Sequence, residues 1–64
     1  MTIRFIRDTT LLINNSIDVS YEEIYKKNSI EYVDLLDETE SSIYVQFENG
    51  EVSCISKDSF EYEQ

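Results

Sequence analysis

The chain has 64 residues, of which 41% are hydrophobic, and its 5 basic and 14 acidic side chains give a formal net charge of −9. That length allows one domain, expected to span residues 1–64, and the charge argues against direct binding of nucleic acid or of an anionic membrane, since both require clustered Lys and Arg. With no histidine and one cysteine, Cys54, the chain cannot form an internal disulfide, a Cys/His zinc site or a histidine-activated nucleophile.

The first third of the chain predicts two strands. Residues 2–7 alternate as a strand that places Ile3 and Phe5 inward, and Asp and Thr side chains favour a turn at residues 8–10 before a short strand at residues 11–13. No uncharged run approaches the roughly 20 residues of a membrane-spanning helix. Because a lone cysteine also suits a reducing compartment, we expect a cytoplasmic protein.

The middle of the chain allows two interpretations. Residues 20–23 read Ser-Tyr-Glu-Glu, a capping-box pattern that allows a short helix at residues 20–28. The alternative is a loop, since one or two helical turns alone are marginally stable. Residues 30–36 fit a strand or a helix, and we favour the strand because the hairpin that follows needs a neighbour. The predicted fold class is therefore mainly β, with α+β as the alternative if the helix forms.

The most specific local signal is a β-hairpin at residues 42–56. Two alternating segments flank Asn49-Gly50, the pair preferred by a two-residue type I′ turn because both of its central residues need a positive φ. A two-residue loop also determines which residues face each other across the two strands. It would place Glu48 directly opposite Glu51.

This strand pairing assigns the two faces of the hairpin. Cys54 is expected to face the core as a small hydrophobe, whereas Tyr44 and Ile55 are expected to face outward. After the hairpin, residues 56–59 predict a tight turn, and residues 60–62 predict a last short strand.

Acidic residues around the hairpin predict a surface that binds another protein. One group precedes the hairpin and another lies at its turn, with Tyr44 between them as an aromatic anchor. Such carboxylates could replace phosphates in a nucleic-acid-binding groove and steer a basic partner. The alternative is that the charge only keeps a small domain soluble. The predicted partner-binding residues are Asp34, Asp37, Glu38, Glu40, Tyr44, Glu48 and Glu51.

The acidic cluster at residues 34–40 also raises the question of a metal or an acid–base pair. Its spacing lacks the alternating ligands and the central glycine of a calcium loop, and a chain with one glycine cannot form a phosphate-cradling loop. We therefore predict no catalytic residue, no metal site and no cofactor.

Four segments, spread over most of the chain, carry a family resemblance. They are RFIRDTTL at residues 4–11, VDLLD at 33–37, VQFENG at 45–50 and KDSFE at 57–61. Together they resemble the small acidic SH3-like barrel proteins encoded by phages and related mobile elements. The resemblance implies a five-stranded barrel whose long first loop is residues 14–29. Asn28-Ser29 stands where such proteins often have a glycine.

Proteins of the resembled kind are often inhibitors of host or defence proteins. The leading hypothesis is therefore a non-catalytic, phage-type inhibitor in the host cytoplasm that blocks a basic, nucleic-acid-binding site on such a protein. The alternative is an SH3-like structural or assembly module that binds a peptide or forms a homodimer through apolar contacts. Its contact residues would include Tyr44, Ile55 and Tyr62.

Overall fold

Seven antiparallel β-strands form one sheet in the computed structural model, which describes residues 1–14 and 20–63. The strands are β1 (Thr2–Phe5), β2 (Thr9–Asn14), β3 (Ser20–Tyr25), β4 (Ile30–Glu38), β5 (Ser42–Phe47), β6 (Val52–Ser56) and β7 (Phe60–Glu63). Their order across the sheet is β3-β2-β6-β5-β4-β1-β7. Among the described residues, no helix is long and apolar enough to cross a membrane.

The predicted mainly β class is confirmed, since 69% of the described residues lie in strands and none of them in a helix. The predicted five-stranded SH3-like barrel is not confirmed, because the sheet has seven strands and is not closed. The sheet nevertheless curves, since side chains from every strand except β3 meet in one cluster that a flat sheet could not gather. The buried members of that cluster are Ile3, Phe5, Leu11, Ile13, Val33, Ile43, Val45, Phe47, Ile55 and Phe60.

The possible helix at residues 20–28 does not form, and neither does a loop over the whole segment, because Ser20–Tyr25 form β3 and residues 26–28 lie in the turn that follows. β3 pairs with β2 along its whole length, which satisfies its backbone better than an isolated helical turn could. At the end of β3, Tyr25 packs against the core and stacks on the rings of Phe5 and Phe47. This long-range packing outweighs the local capping-box signal.

The predicted long first loop is therefore largely β-structure and a turn. Residues 15–19 of that range lie outside the described residues. In the turn after β3, Asn28 has a φ of 74°, and its backbone N–H donates to the carbonyl oxygen of Phe5 at 2.7 Å. Asparagine tolerates this left-handed conformation better than most residues. Asn28 can thus take the place of a glycine at this turn.

The strand favoured for residues 30–36 is confirmed and extends to Glu38 as β4. The beginning of β4 pairs with β1, whereas the rest pairs with β5, so β4 joins the two parts of the sheet. The pairing shifts between Leu35 and Asp37, which makes Leu36 the extra residue of a β-bulge. Beyond the bulge, Asp37 lies opposite Tyr44.

The predicted Asn-Gly hairpin is confirmed as β5 and β6, but its two-residue turn is wrong. The N–H of Phe47 donates to the carbonyl oxygen of Glu51 at 2.8 Å, and the N–H of Gly50 donates to the carbonyl oxygen of Phe47 at 3.0 Å. Gly50 has a φ of 89°, whereas Asn49 lacks the positive φ of a type I′ turn. The loop thus has three residues, and Glu48 does not pair with Glu51.

This change of loop shifts the pairing by one residue, which turns every side chain of β6 to the opposite face. Ile55 is therefore fully buried, and Cys54 is exposed, the reverse of the prediction. Ser53 also faces inward. Its hydroxyl donates to the carbonyl oxygen of Leu12 at 2.9 Å, so this buried polar group is satisfied.

The remaining predicted elements need smaller corrections. The first strand ends at Phe5, and the predicted turn at residues 8–10 is partly wrong because Thr9 and Thr10 already belong to β2. The tight turn at residues 56–59 is confirmed by a hydrogen bond from the N–H of Ser59 to the carbonyl oxygen of Ser56 at 3.0 Å. The last strand is confirmed as β7.

Candidate functional site

The seven predicted binding residues lie in three places along the β4–β5–β6 region. The predicted surface is thus divided between the outer face of the sheet and the two turns at opposite ends of β5. Asp34, Asp37 and Tyr44 are exposed on β4 and β5, Glu38 and Glu40 lie at the β4–β5 turn, and Glu48 and Glu51 lie at the β5–β6 loop.

Within residues 1–14 and 20–63, three of the five basic residues form ion pairs, and one of these pairs involves a predicted binding residue. The Lys57 Nζ atom lies 2.5 Å from an Oε atom of Glu38. Glu38 is therefore already neutralised in part and is the weakest candidate for contacting a basic partner. The pairs are Arg4 with Glu61 and Glu63, Lys26 with Asp8, and Lys57 with Glu38.

A groove of about 510 Å³ opens beside Glu48. It lies where β3, the beginning of β4 and the β5–β6 loop meet. Three of its eight lining residues are glutamates, and three are aromatic. We call it the acidic groove, and its lining residues are Glu23, Tyr25, Ile30, Glu31, Tyr32, Phe47, Glu48 and Asn49.

Stacked aromatic rings form one wall of the acidic groove. The ring of Tyr25 lies 4.9 Å from that of Phe5 and 5.5 Å from that of Phe47, measured between centroids, with interplanar angles of 21° and 8°. Each such stack contributes about 0.5–1.5 kcal/mol beyond area burial. Tyr25 therefore anchors β3, whose other residues are all exposed, to the core.

The carboxylates of the acidic groove come from three separate elements. Glu23 lies on β3, Glu31 on β4 and Glu48 in the β5–β6 loop, and none takes part in an ion pair between described residues. Burial raises the pKa of Glu31 above its ordinary value of 4.5, and repulsion from Glu23 and then Glu48 raises it further. The groove therefore holds a negative potential that a cation would relieve.

Glu51, which precedes β6, adds a further negative charge beside Tyr21 of β3. The Tyr21 hydroxyl donates to one carboxylate oxygen of Glu51, and the Asn49 side-chain amide donates to the other at 2.7 Å. The hydrogen bond to Glu51 is the main reason why the pKa of Tyr21 is raised to about 12, followed by burial and by the charges of Glu51 and Glu23. A carboxylate beside a phenol opposes formation of the second negative charge.

Replacing Glu51 with glutamine is expected to lower the pKa of Tyr21 toward its ordinary value of 10.0. The amide removes the charge that opposes the phenolate while keeping the size of the side chain. Titration of the tyrosine ring resonances by NMR measures the change. Glu48→Gln is the control, because Glu48 is not among the causes of the Tyr21 shift. An unchanged Tyr21 titration in the Glu51→Gln variant would contradict the assigned hydrogen bond.

Within residues 1–14 and 20–63, no group of three or more Cys, Asp or Glu side chains is placed to hold a metal ion. The three glutamates of the acidic groove come from three different strands or loops and line one open surface.

The outer face of the sheet carries a second candidate surface. Tyr44 lies opposite Cys54, and a cavity of about 180 Å³ lies beside this pair. The adjacent Cys54 thiol raises the pKa of Tyr44, and Asp37 adds to the effect. Asp37 and Asp34 bring negative charge to the β4 side of this surface. We call its apolar part the outer patch, which comprises Leu12, Leu36, Tyr44, Val52 and Cys54.

The sequence-based prediction missed Glu23, Glu31, Tyr25 and Tyr32 as members of a binding site. The alternation of Tyr21, Glu23 and Tyr25 would have placed these three on one face if residues 20–25 had been assigned to a strand. No local signal marks Glu31, because its position depends on the pairing of β4 with β1.

Comparison with known proteins finds no matching family model, no matching curated protein and no matching solved structure. Function is therefore inferred from the acidic groove and the outer patch themselves.

Proposed function

We propose that this chain is a non-catalytic, SH3-like binding protein that covers a basic site on another protein. The proposed partner is a host or defence protein whose basic site holds nucleic acid, which makes the chain a phage-type inhibitor acting in the host cytoplasm. One observation carries the proposal. Glu23, Glu31 and Glu48 line a single concave surface, and none of them is engaged in an ion pair between described residues.

The distribution of charge favours recognition over solubility alone. Arg4, Lys26 and Lys57 form their ion pairs with carboxylates that do not line the acidic groove, so these pairs neutralise none of its three glutamates. A charge that served only solubility could be spread over the surface and would not need to be concentrated in a groove, where like charges repel. Carboxylates that line a groove can instead bind the basic side chains that would otherwise contact phosphates, and their field speeds the encounter.

The side chains of this protein support a binding role and not a catalytic one. The chain has no histidine, and its one thiol, Cys54, lies opposite Tyr44 rather than beside a base that would form the thiolate. The acidic groove contains carboxylates and aromatic rings, which supply charge and contact area.

The test begins with immobilised protein and a bacterial lysate. Partner binding should weaken by about tenfold or more between about 50 mM and about 500 mM NaCl, because exposed charges are screened over about 8 Å at physiological ionic strength. The captured partner is then bound to a fluorescent DNA duplex and titrated with the chain. Loss of anisotropy, which reports release of the duplex, is the expected result. An affinity that does not change with salt, or DNA and chain bound together, would refute the proposal.

The outer patch favours a second candidate function, an SH3-like assembly module that pairs with a copy of itself. Leu12, Leu36 and Tyr44 are 58%, 55% and 44% exposed. Ile55 was predicted to contribute to this apolar interface, but it is buried. Tyr62, also predicted there, lies on the edge strand β7 and therefore outside the outer patch. Apolar association between chains that each carry a charge of −9 should strengthen with salt, and sedimentation at low and high salt distinguishes it from the first proposal.

A further inference from the structure

The acidic groove is large enough to take one long side chain of a partner, and its composition suits a basic one. Its volume of about 510 Å³ falls within the roughly 300–1,000 Å³ of typical binding clefts. It contains aromatic and aliphatic surface as well as charge, so it differs from a plain acidic patch. An occupant should therefore combine a positive charge with an apolar body.

Apolar side chains at the edge of the groove remain open to water. Ile30 is 54% exposed and Tyr32 is 55% exposed, whereas Tyr25 and Phe47 are held in the aromatic stack. The alkyl stem of a long basic side chain can cover such surface while its charged end reaches the carboxylates. An aromatic ring also attracts a cation placed over its face.

The carboxylates favour a planar, extended cation. Glu23, Glu31 and Glu48 reach the groove from different elements, and three aromatic side chains line the same groove. A guanidinium group has five N–H donors in one plane, so it can bond two carboxylates and stack on an aromatic ring at once. A lysine ammonium is a compact charge without this reach or planarity.

We propose that the acidic groove is the receptor for an arginine side chain of the partner protein. This inference rests on the proposed function, since it names the part of the basic partner that the groove recognises. The guanidinium lies among Glu23, Glu31 and Glu48, and the alkyl stem packs on Ile30 and Tyr32.

The test uses the full chain, labelled with ¹⁵N, and a blocked pentapeptide with one arginine between serines. Saturable shifts are expected for the backbone amides of Tyr25, Glu31, Phe47 and Asn49. A peptide with citrulline, which keeps the shape but lacks the charge, should bind about tenfold more weakly. A lysine peptide should bind about threefold more weakly than the arginine peptide.

A matched pair of double variants locates the binding. Glu31→Gln with Glu48→Gln should weaken the arginine peptide by about tenfold, whereas Asp34→Asn with Asp37→Asn, which removes the same charge from the outer face, should change it by less than about twofold. Equal losses in the two variants would overturn the proposal. So would equal binding of the citrulline or lysine peptide to the unaltered chain, a result that does not depend on variant folding.

Failure of this inference can be distinguished from failure of the proposed function. If the arginine peptide does not bind the groove but the chain still displaces DNA from the captured partner, the proposed arginine site is refuted and the proposed function is not. If the peptide binds as expected but no captured partner releases DNA, the receptor is supported, and the proposed inhibition of a nucleic-acid-binding protein fails.

Discussion

Replacing Ile55 with alanine should destabilise the protein by about 2–5 kcal/mol, because it truncates a fully buried side chain of the core cluster. A domain of this size rarely has more than about 3–5 kcal/mol from its core, so this change removes much of its stability. The adjacent substitution, Cys54→Ala, alters an exposed side chain and should stay within about 0.5 kcal/mol. Urea unfolding of both variants, followed by circular dichroism, measures the difference.

The same pair of variants tests the three-residue loop. A two-residue turn would bury Cys54 and expose Ile55, so it would reverse the order of the two losses. A larger loss for Cys54→Ala than for Ile55→Ala would therefore contradict the pairing of β5 with β6.

Reversing two charges of the acidic groove should nearly abolish partner binding. Glu31→Lys with Glu48→Lys places two cations where the basic site is proposed to dock, and affinity should fall by about 100-fold or more. The control is Asp34→Lys with Asp37→Lys on the outer face, which should cost less than about fivefold. Titration calorimetry with the partner isolated from lysate measures both affinities.

The two double variants have the same overall charge. Each takes the net charge from −9 to −5, so a difference between them reflects position and not total charge. Circular dichroism establishes that both remain folded. Equal losses would show that the partner responds only to the bulk charge of the chain, and a larger loss for the outer-face variant would move the binding site to the outer patch.

Most of the strands could be predicted from the sequence, but the faces of β6 could not. Asn-Gly is compatible with a two-residue type I′ turn and with a type I turn followed by a left-handed glycine. The sequence of the following strand does not distinguish the two turn types, because both of its faces carry apolar residues. Val52 and Cys54 lie on one face, and Ile55 lies on the other. The choice depends on packing against the rest of the core, where Ile55 is fully buried.

The acidic groove was predictable only in part, for a related reason. Glu48 could be identified from its place beside the hairpin turn, whereas Glu23 and Glu31 are distant in the chain and meet it only in the folded sheet. Their position requires β3 to be a strand, which the capping-box pattern of residues 20–23 argues against locally. The stacking of Tyr25 with Phe5 and Phe47 decides that conflict, and it is a tertiary contact.

The two edges of the open sheet carry negative charge. Within the described residues the sheet ends at β3 and β7, whose outer backbone groups could template a strand from another molecule. Each of these edge strands carries two glutamates, Glu22 and Glu23 on β3 and Glu61 and Glu63 on β7. Two copies meeting edge to edge would bring these charges within about 5 Å of one another. Like charges on two meeting edges would oppose such pairing, most strongly at β3, because Glu61 and Glu63 of β7 are ion-paired with Arg4.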